Sequence, residues 1–188
     1  MPEYLAALTI LLLIGMVLTR AMLMKRQGIN AMNFGKIDKT DFLIPLFALF
    51  YFYLVFANAF HFPSVSTQVF FHSGIAAWVG VVFCLAGLCL MGWSLVSFGQ
   101  SFRVGIDMEH PDKLITSGVF AFSRNPIYTA FAIVLIGQFL IFPNIILLIY
   151  TGAAIWLFHR QVVREEEYLK GHYGTEYMEY CERVRRYL

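Results

Sequence analysis

Four apolar stretches of this chain carry no Lys, Arg, Asp or Glu: Tyr4 to Thr19, Phe42 to Phe60, Ser73 to Phe102 and Pro126 to Phe158. As helices rising 1.5 Å per residue, the first three are each long enough for a hydrocarbon core about 30 Å thick. Runs of that length cannot be buried inside a soluble domain of 188 residues. Hydrophobic residues make up 59% of the chain and charged ones 14%, against roughly 45–50% and 25% in soluble domains. The solvent this sequence is written for is a bilayer.

The fourth run is 33 residues long, and as one helix it would measure about 50 Å. Pro143-Asn144 near its middle is a natural breaker. Two short helices joined by a tight turn therefore fit better. The expected fold is all-α and integral to the membrane, with five transmembrane helices over 4–24, 42–61, 73–98, 126–142 and 144–159. Amphipathic C-terminal helices follow on the cytoplasmic side.

Charge placement orients this arrangement. Met1 to Glu3 lacks the positive region that opens a signal peptide, and Arg20, Lys25 and Arg26 come after the apolar run. The first helix reads as a retained span with its N-terminus outside. The cytoplasmic segments are then 20–41, 99–125 and 159–188, and they hold all 14 Lys and Arg residues. This is the positive-inside pattern. A single long fourth span would leave the tail outside with six basic residues, against that rule. Localisation is thus multi-pass in a membrane, with the C-terminus cytoplasmic.

One membrane domain, 1–188, accounts for the chain, with 1–72 as two N-terminal spans and 73–188 as the core. In the tail, Tyr168, Leu169, Tyr173, Tyr177, Tyr180, Cys181 and Val184 recur at helical spacing on either side of Gly171 and Gly174. Cys84, Cys89 and Cys181 form no metal-spaced cluster, and His61, His72 and His110 lie beside span ends, so no metal site is expected. The C-terminal Arg-Arg-Tyr-Leu is no prenylation signal. A net charge of +2 without a separate basic block argues against a nucleic-acid partner.

Polar residues gather in two blocks on the cytoplasmic side, Asp107 to Tyr128 and Arg160 to Tyr180. Within them, Leu114-Ile115-Thr116-Ser117-Gly118-Val119-Phe120, Arg124-Asn125-Pro126-Ile127-Tyr128, and Glu165-Glu166-Glu167 followed by Tyr173-Gly174-Thr175-Glu176-Tyr177 and Tyr180 stand in a fixed order. These runs resemble the motifs of the isoprenylcysteine carboxyl methyltransferase family, over 112–184. Phospholipid N-methyltransferases and thiol methyltransferases are close relatives of that family.

The resemblance implies an S-adenosyl-L-methionine-dependent carboxyl O-methyltransferase, releasing S-adenosyl-L-homocysteine, with a pocket formed by 104–128 and 159–180. It implies that Lys113, Leu114, Ile115, Gly118, Val119, Phe120, Asn125, Pro126, Ile127 and Tyr128 surround the cofactor and that Glu165 binds one of its polar groups. Arg160 or Arg164 would hold the substrate carboxylate, and Arg124 belongs to the same catalytic set. The expected partners are the bilayer and a lipid-like or prenylated-peptide substrate. Two positions depart from the family pattern. Asn125 stands where the family has His, and it can hydrogen-bond but not titrate near neutral pH. Phe120 stands where the family has Tyr.

The chemistry asks little of the protein. A carboxylate has a pKa near ~3.5 and is ionised at neutral pH, so no general base is required. Placement of the reacting atoms is the main contribution, worth roughly 7–11 kcal/mol at best.

Each motif also has a plain structural reading. Asn125 could cap the fourth helix with Pro126 at its first position and Arg124 snorkelling. Glu165 to Glu167 could be a solvated helix face paired with Arg160 and Arg164. The alternatives to carboxyl methyl transfer are a phospholipid N-methyltransferase or small-thiol methyltransferase with the same cofactor site, and a non-enzymatic membrane scaffold.

Overall fold

The structure, a computed structural model, describes residues 1–26, 43–63, 69–99 and 114–188. Among them the only regular elements are helices: α1 (Pro2–Arg26), α2 (Leu43–Phe60), α3 (Gly74–Phe98), a 3-10 turn (Gly118–Ala121), α4 (Pro126–Ile141), α5 (Ile145–Tyr173) and α6 (Thr175–Arg183). Three helices, α1, α3 and α5, are long and apolar enough to cross a membrane, and two shorter apolar stretches, Phe47–Phe60 and Pro126–Ile141, accompany them. Lys113 and the rest of the 104–113 part of the expected pocket lie outside the described residues, as does the expected start of the second span at 42.

Helix boundaries follow local chemistry. The hydroxyl of Ser73 caps α3 by accepting from Ala76 N at 3.2 Å. The α4–α5 turn falls at Pro143-Asn144, as expected, and Asn144 caps α5 by accepting from Leu147 N at 2.9 Å. The far end of α5 departs from expectation. Instead of stopping at 159 and giving way to separate tail helices, α5 runs to Tyr173 as one 29-residue helix. No Gly or Pro interrupts the run from Phe158 to Lys170, and Gln161 donates to Glu165 one turn later at 3.0 Å. Gly171 is absorbed within the helix. The break comes at Gly174, whose φ of +55° suits a residue without a Cβ.

The α3–α4 pair packs most extensively, through small residues. A Cβ on Gly80 would lie 2.5 Å from the carbonyl oxygen of Gly137, and one on Gly137 would lie 2.6 Å from that of Gly80. Backbone meets backbone there, the close approach that small residues permit in membranes. Around this pair one core cluster joins Ala6 and Ile10 of α1, Leu54 and Val55 of α2, Cys84 of α3 and Leu147 of α5. A second, made by Ala21, Met24, Met91, Leu95 and Ala130, lies towards the other end of the bundle.

Large apolar side chains also cover much of the exterior of the helices. Leu11, Trp78, Val82, Leu85, Ile149 and Trp156 are all exposed. A surface of this kind is costly in water and comfortable in lipid. The arrangement is that of a membrane protein.

Candidate active site

The two polar blocks meet at one end of the bundle, and Glu166 is where they join. It sits on α5 with its carboxylate buried. Its Oε1 accepts from Arg124 Nε at 3.2 Å and from Asn125 Nδ2 at 3.0 Å. Its Oε2 accepts from Arg186 Nε at 3.0 Å. A buried carboxylate needs such partners, because taking it out of water unpaired is expensive. Two guanidiniums against one carboxylate leave the cluster with an excess of one positive charge. The Glu166 hydrogen bond is the chief reason the Arg186 guanidinium holds its proton still more tightly than usual.

Arg124 is spent inside this cluster. Besides Glu166, it donates from Nη1 to the Cys181 carbonyl at 3.1 Å, and its own backbone N–H donates to the Arg185 carbonyl at 2.9 Å. Asn125 stands at the N-cap position of α4, with Pro126 at the first helical position as expected, but its side chain makes no capping bond. Both amide hydrogens go elsewhere: to Glu166, and to the Arg186 carbonyl at 3.2 Å. The backbone of α4 starts without the side-chain cap that the sequence alone favours.

Glu165, the neighbour of Glu166, faces differently. A turn of 100° around the helix aims it at α4, where Tyr128 donates its hydroxyl to Oε1 at 2.6 Å, and Gln161 of α5 itself donates to the same oxygen at 3.0 Å. Burial, opposed by these two hydrogen bonds, pushes its pKa above the ordinary carboxylate value. Glu167, the third of the run, is exposed. The solvated-face reading therefore describes Glu167 but not its two neighbours.

The Leu114 to Phe120 run is held by contacts from outside it. Gly118 has φ +65°, and a Cβ there would meet the Ser97 hydroxyl at 2.5 Å. That hydroxyl accepts from Val119 N at 3.2 Å, so α3 pins the turn. Val119 and Phe120 are buried, Leu114 and Ile115 half-buried and Gly118 exposed. Phe120 lies edge-on to Phe98 with ring centroids 4.6 Å apart, and its carbonyl accepts from the Tyr180 hydroxyl at 2.7 Å. Burial of that hydroxyl pushes the Tyr180 pKa up to about 12. Pro126 is buried and Ile127 half-buried at the start of α4.

Arg160 and Arg164 are both exposed on α5. The Arg160 guanidinium lies 5.9 Å over the ring of Trp156, a cation–π arrangement.

Several participants were not singled out by the sequence. Arg186 and the backbone of 185–186 clasp the 123–125 segment, Ser97 anchors the 3-10 turn, and the Tyr187 hydroxyl reaches His159 Nδ1 at 3.0 Å. Residues 185–188, beyond the helical pattern of the tail, are too few to carry a periodic signal. Ser97 looks like any small polar residue at the end of an apolar run.

A phospholipid methyltransferase family model matches residues 75–176, from the start of α3 to the beginning of α6. The chain is similar to protein-S-isoprenylcysteine O-methyltransferase B of Arabidopsis thaliana, 32% identical over 108 residues, covering 56% of this chain and 55% of the relative. It is also similar to the Homo sapiens protein-S-isoprenylcysteine O-methyltransferase, 32% identical over 108 residues, covering 56% of this chain and 38% of the relative. With the Schizosaccharomyces pombe protein of the same name the identity is 29% over 130 residues, 68% of this chain and 54% of that one. The match spans little more than half of the first of these relatives.

Proposed function

The chain belongs to the phospholipid methyltransferase family, and on that premise we propose that it is a membrane methyltransferase. In this reading it moves the methyl group of S-adenosyl-L-methionine to the carboxylate of a prenylated cysteine or a similar lipid-like acid. The observation that carries the reading is the buried Glu166 cluster, which brings Arg124 and Asn125 of the first polar block against α5 of the second. A scaffold would have no reason to bury a carboxylate with two arginines at that place, since an apolar cluster of the same shape is as stable or more so. The names of the relatives favour a carboxyl acceptor.

In the membrane we place five spans, the two shorter apolar helices included, with the N-terminus outside and the C-terminus cytoplasmic. The site then opens at the cytoplasmic face, where a soluble donor and a lipid-anchored acceptor can meet.

The residues present suit such a donor. Glu165 offers a carboxylate oxygen, fixed by Tyr128 and Gln161, to an ammonium or hydroxyl group. Asn125 has a side-chain oxygen with no donor among the described residues. Leu114, Ile115, Gly118, Val119, Phe120, Pro126 and Ile127 supply backbone and apolar surface around it, and Lys113 a charge. Bound there, the group would supply a methyl carbon already activated by sulfonium charge. The chain's own work is to place the acceptor oxygen in line, exclude water and steady the acceptor's negative charge. Arg160 or Arg164 holds the acceptor carboxylate. Arg124 acts from within, keeping Asn125 and Glu166 in register.

The test is calorimetry of the purified full chain with S-adenosyl-L-homocysteine. Saturable one-site binding, weakened about tenfold or more by Glu165→Ala, supports the reading. Absence of binding to the wild-type protein in both detergent and bilayer discs overturns it.

A further inference from the structure

The last residues of the chain run as a strap across the site. Arg186 pairs with Glu166, its Nη2 2.9 Å from Oε2. Ser123 and Arg185 form an isolated parallel bridge. The Arg186 carbonyl accepts from Asn125 Nδ2 at 3.2 Å. Asn125 is 8% exposed, and its amide nitrogen has two hydrogens, one for Glu166 and one for that carbonyl. Both partners can only accept, so the orientation of the carboxamide is dictated by chemistry. Oδ1 is left pointing away from them, without a donor among the described residues.

We propose that Arg186 is a positioning residue for the methyl-donor site: with Glu166 it fixes the Asn125 carboxamide so that Oδ1, an acceptor, is the only group that side chain offers the ligand. The inference rests on the methyl-transfer reading and deepens it. Asn125 then reads a donor on the cofactor, an ammonium or hydroxyl hydrogen, and never donates to it. Arg186 touches neither cofactor nor acceptor; it acts through Glu166 and through its own carbonyl. A neutral His at 125 could do the same work, giving its one N–H to Glu166 and presenting the other nitrogen. A protonated His could not, because both nitrogens would then donate.

That difference supplies the test. Position 125 bonds Glu166 of α5 and the Arg186 carbonyl of the strap. The charged and titratable groups around that cluster are Arg124 from its own loop, Arg186 and Tyr187 from the strap, and Tyr177, Tyr180 and Cys181 from α6. Affinity for S-adenosyl-L-homocysteine is measured by calorimetry on full-length wild type and Asn125→His between pH 5.5 and 8.5. The ratio of the two affinities is taken at each pH, which cancels any titration common to both, Glu165 included. The inference predicts that Asn125→His stays within about threefold of wild type at pH 8.5 and loses at least tenfold more towards pH 5.5. A ratio that is flat, or that moves in the variant's favour on acidification, overturns it.

In parallel, Arg186→Ala is expected to raise the KM for the methyl donor about tenfold with kcat within twofold, and Arg186→Lys to restore most of the loss. Equal behaviour of the Ala and Lys variants, or an unchanged KM, overturns the positioning role. Wild-type protein that binds no S-adenosyl-L-homocysteine would instead bring down the methyl-transfer reading, and this inference with it.

Discussion

Arg124 and Glu166 lie 42 residues apart in the sequence and share two hydrogen bonds, from Nε at 3.2 Å and from Nη2 at 3.4 Å. The pair is buried, with side-chain exposures of 10% and 6%. It fastens the loop before α4 to the C-terminal half of α5, the junction on which the proposed site depends.

Glu166→Ala should therefore be among the most damaging single changes in the chain. It leaves Arg124 buried without a counter-charge and releases Asn125 and Arg186, so a loss of about 3–5 kcal/mol is expected. Glu167→Ala, one residue on and exposed, should stay within about 0.5 kcal/mol. Thermal unfolding of both variants in the same detergent checks the contrast. Equal midpoints would show that the cluster contributes nothing to stability.

Glu165 provides a pH signature. Burial raises its pKa in the folded chain above the unfolded value, so folding favours its protonated form. Its contribution to stability is fully present below the unfolded pKa, near ~4.3. It is lost as pH rises through the raised folded value. Ligand-free wild type should lose stability over that window, and Glu165→Gln should lack that component of the slope. Denaturation midpoints across pH 4 to 8 measure it.

At the α3–α4 crossing, Gly137→Ala places a methyl group 2.6 Å from a backbone oxygen that no rotamer change can move. Overpacking of this kind costs roughly 1–3 kcal/mol. Gly152→Ala, where a Cβ meets nothing within 4 Å, should be neutral. Melting temperatures of the two variants in micelles report the difference.

If the acceptor is a carboxylate, the transfer rate at saturating substrates should be flat between about pH 6.5 and 8.5, since the acceptor is already ionised. An amine or thiol acceptor would give a rate that climbs with pH through the acceptor's pKa. Initial rates across that range with farnesylcysteine and with phosphatidylethanolamine separate the two chemistries.

The helices were legible because their signals are local. The uncharged runs locate α1 to α5, and Pro143-Asn144 breaks the hairpin. Where the reading failed, a tertiary partner had won. Asn125 gives up the helix cap because a buried carboxylate and a carbonyl compete for its amide. The α5 helix outruns its apolar segment because the tail residues are helix formers and Glu165 and Glu166 are held against α4 and its preceding loop. The division of labour between adjacent glutamates, and the reach of Arg186, depend on the angle of α5 to the 123–125 segment. Residue spacing along one chain does not contain that angle.

The most direct measurement is methyl transfer itself. Purified full-length protein in bilayer discs is given S-adenosyl-L-methionine labelled in its methyl group and N-acetyl farnesylcysteine. The account predicts a labelled product whose methyl is released as methanol by mild base, as a carboxyl ester requires, and whose formation drops at least tenfold in Glu165→Ala. Label that resists base on an amine or thiol, or a wild-type protein that transfers no methyl while remaining folded, would contradict it.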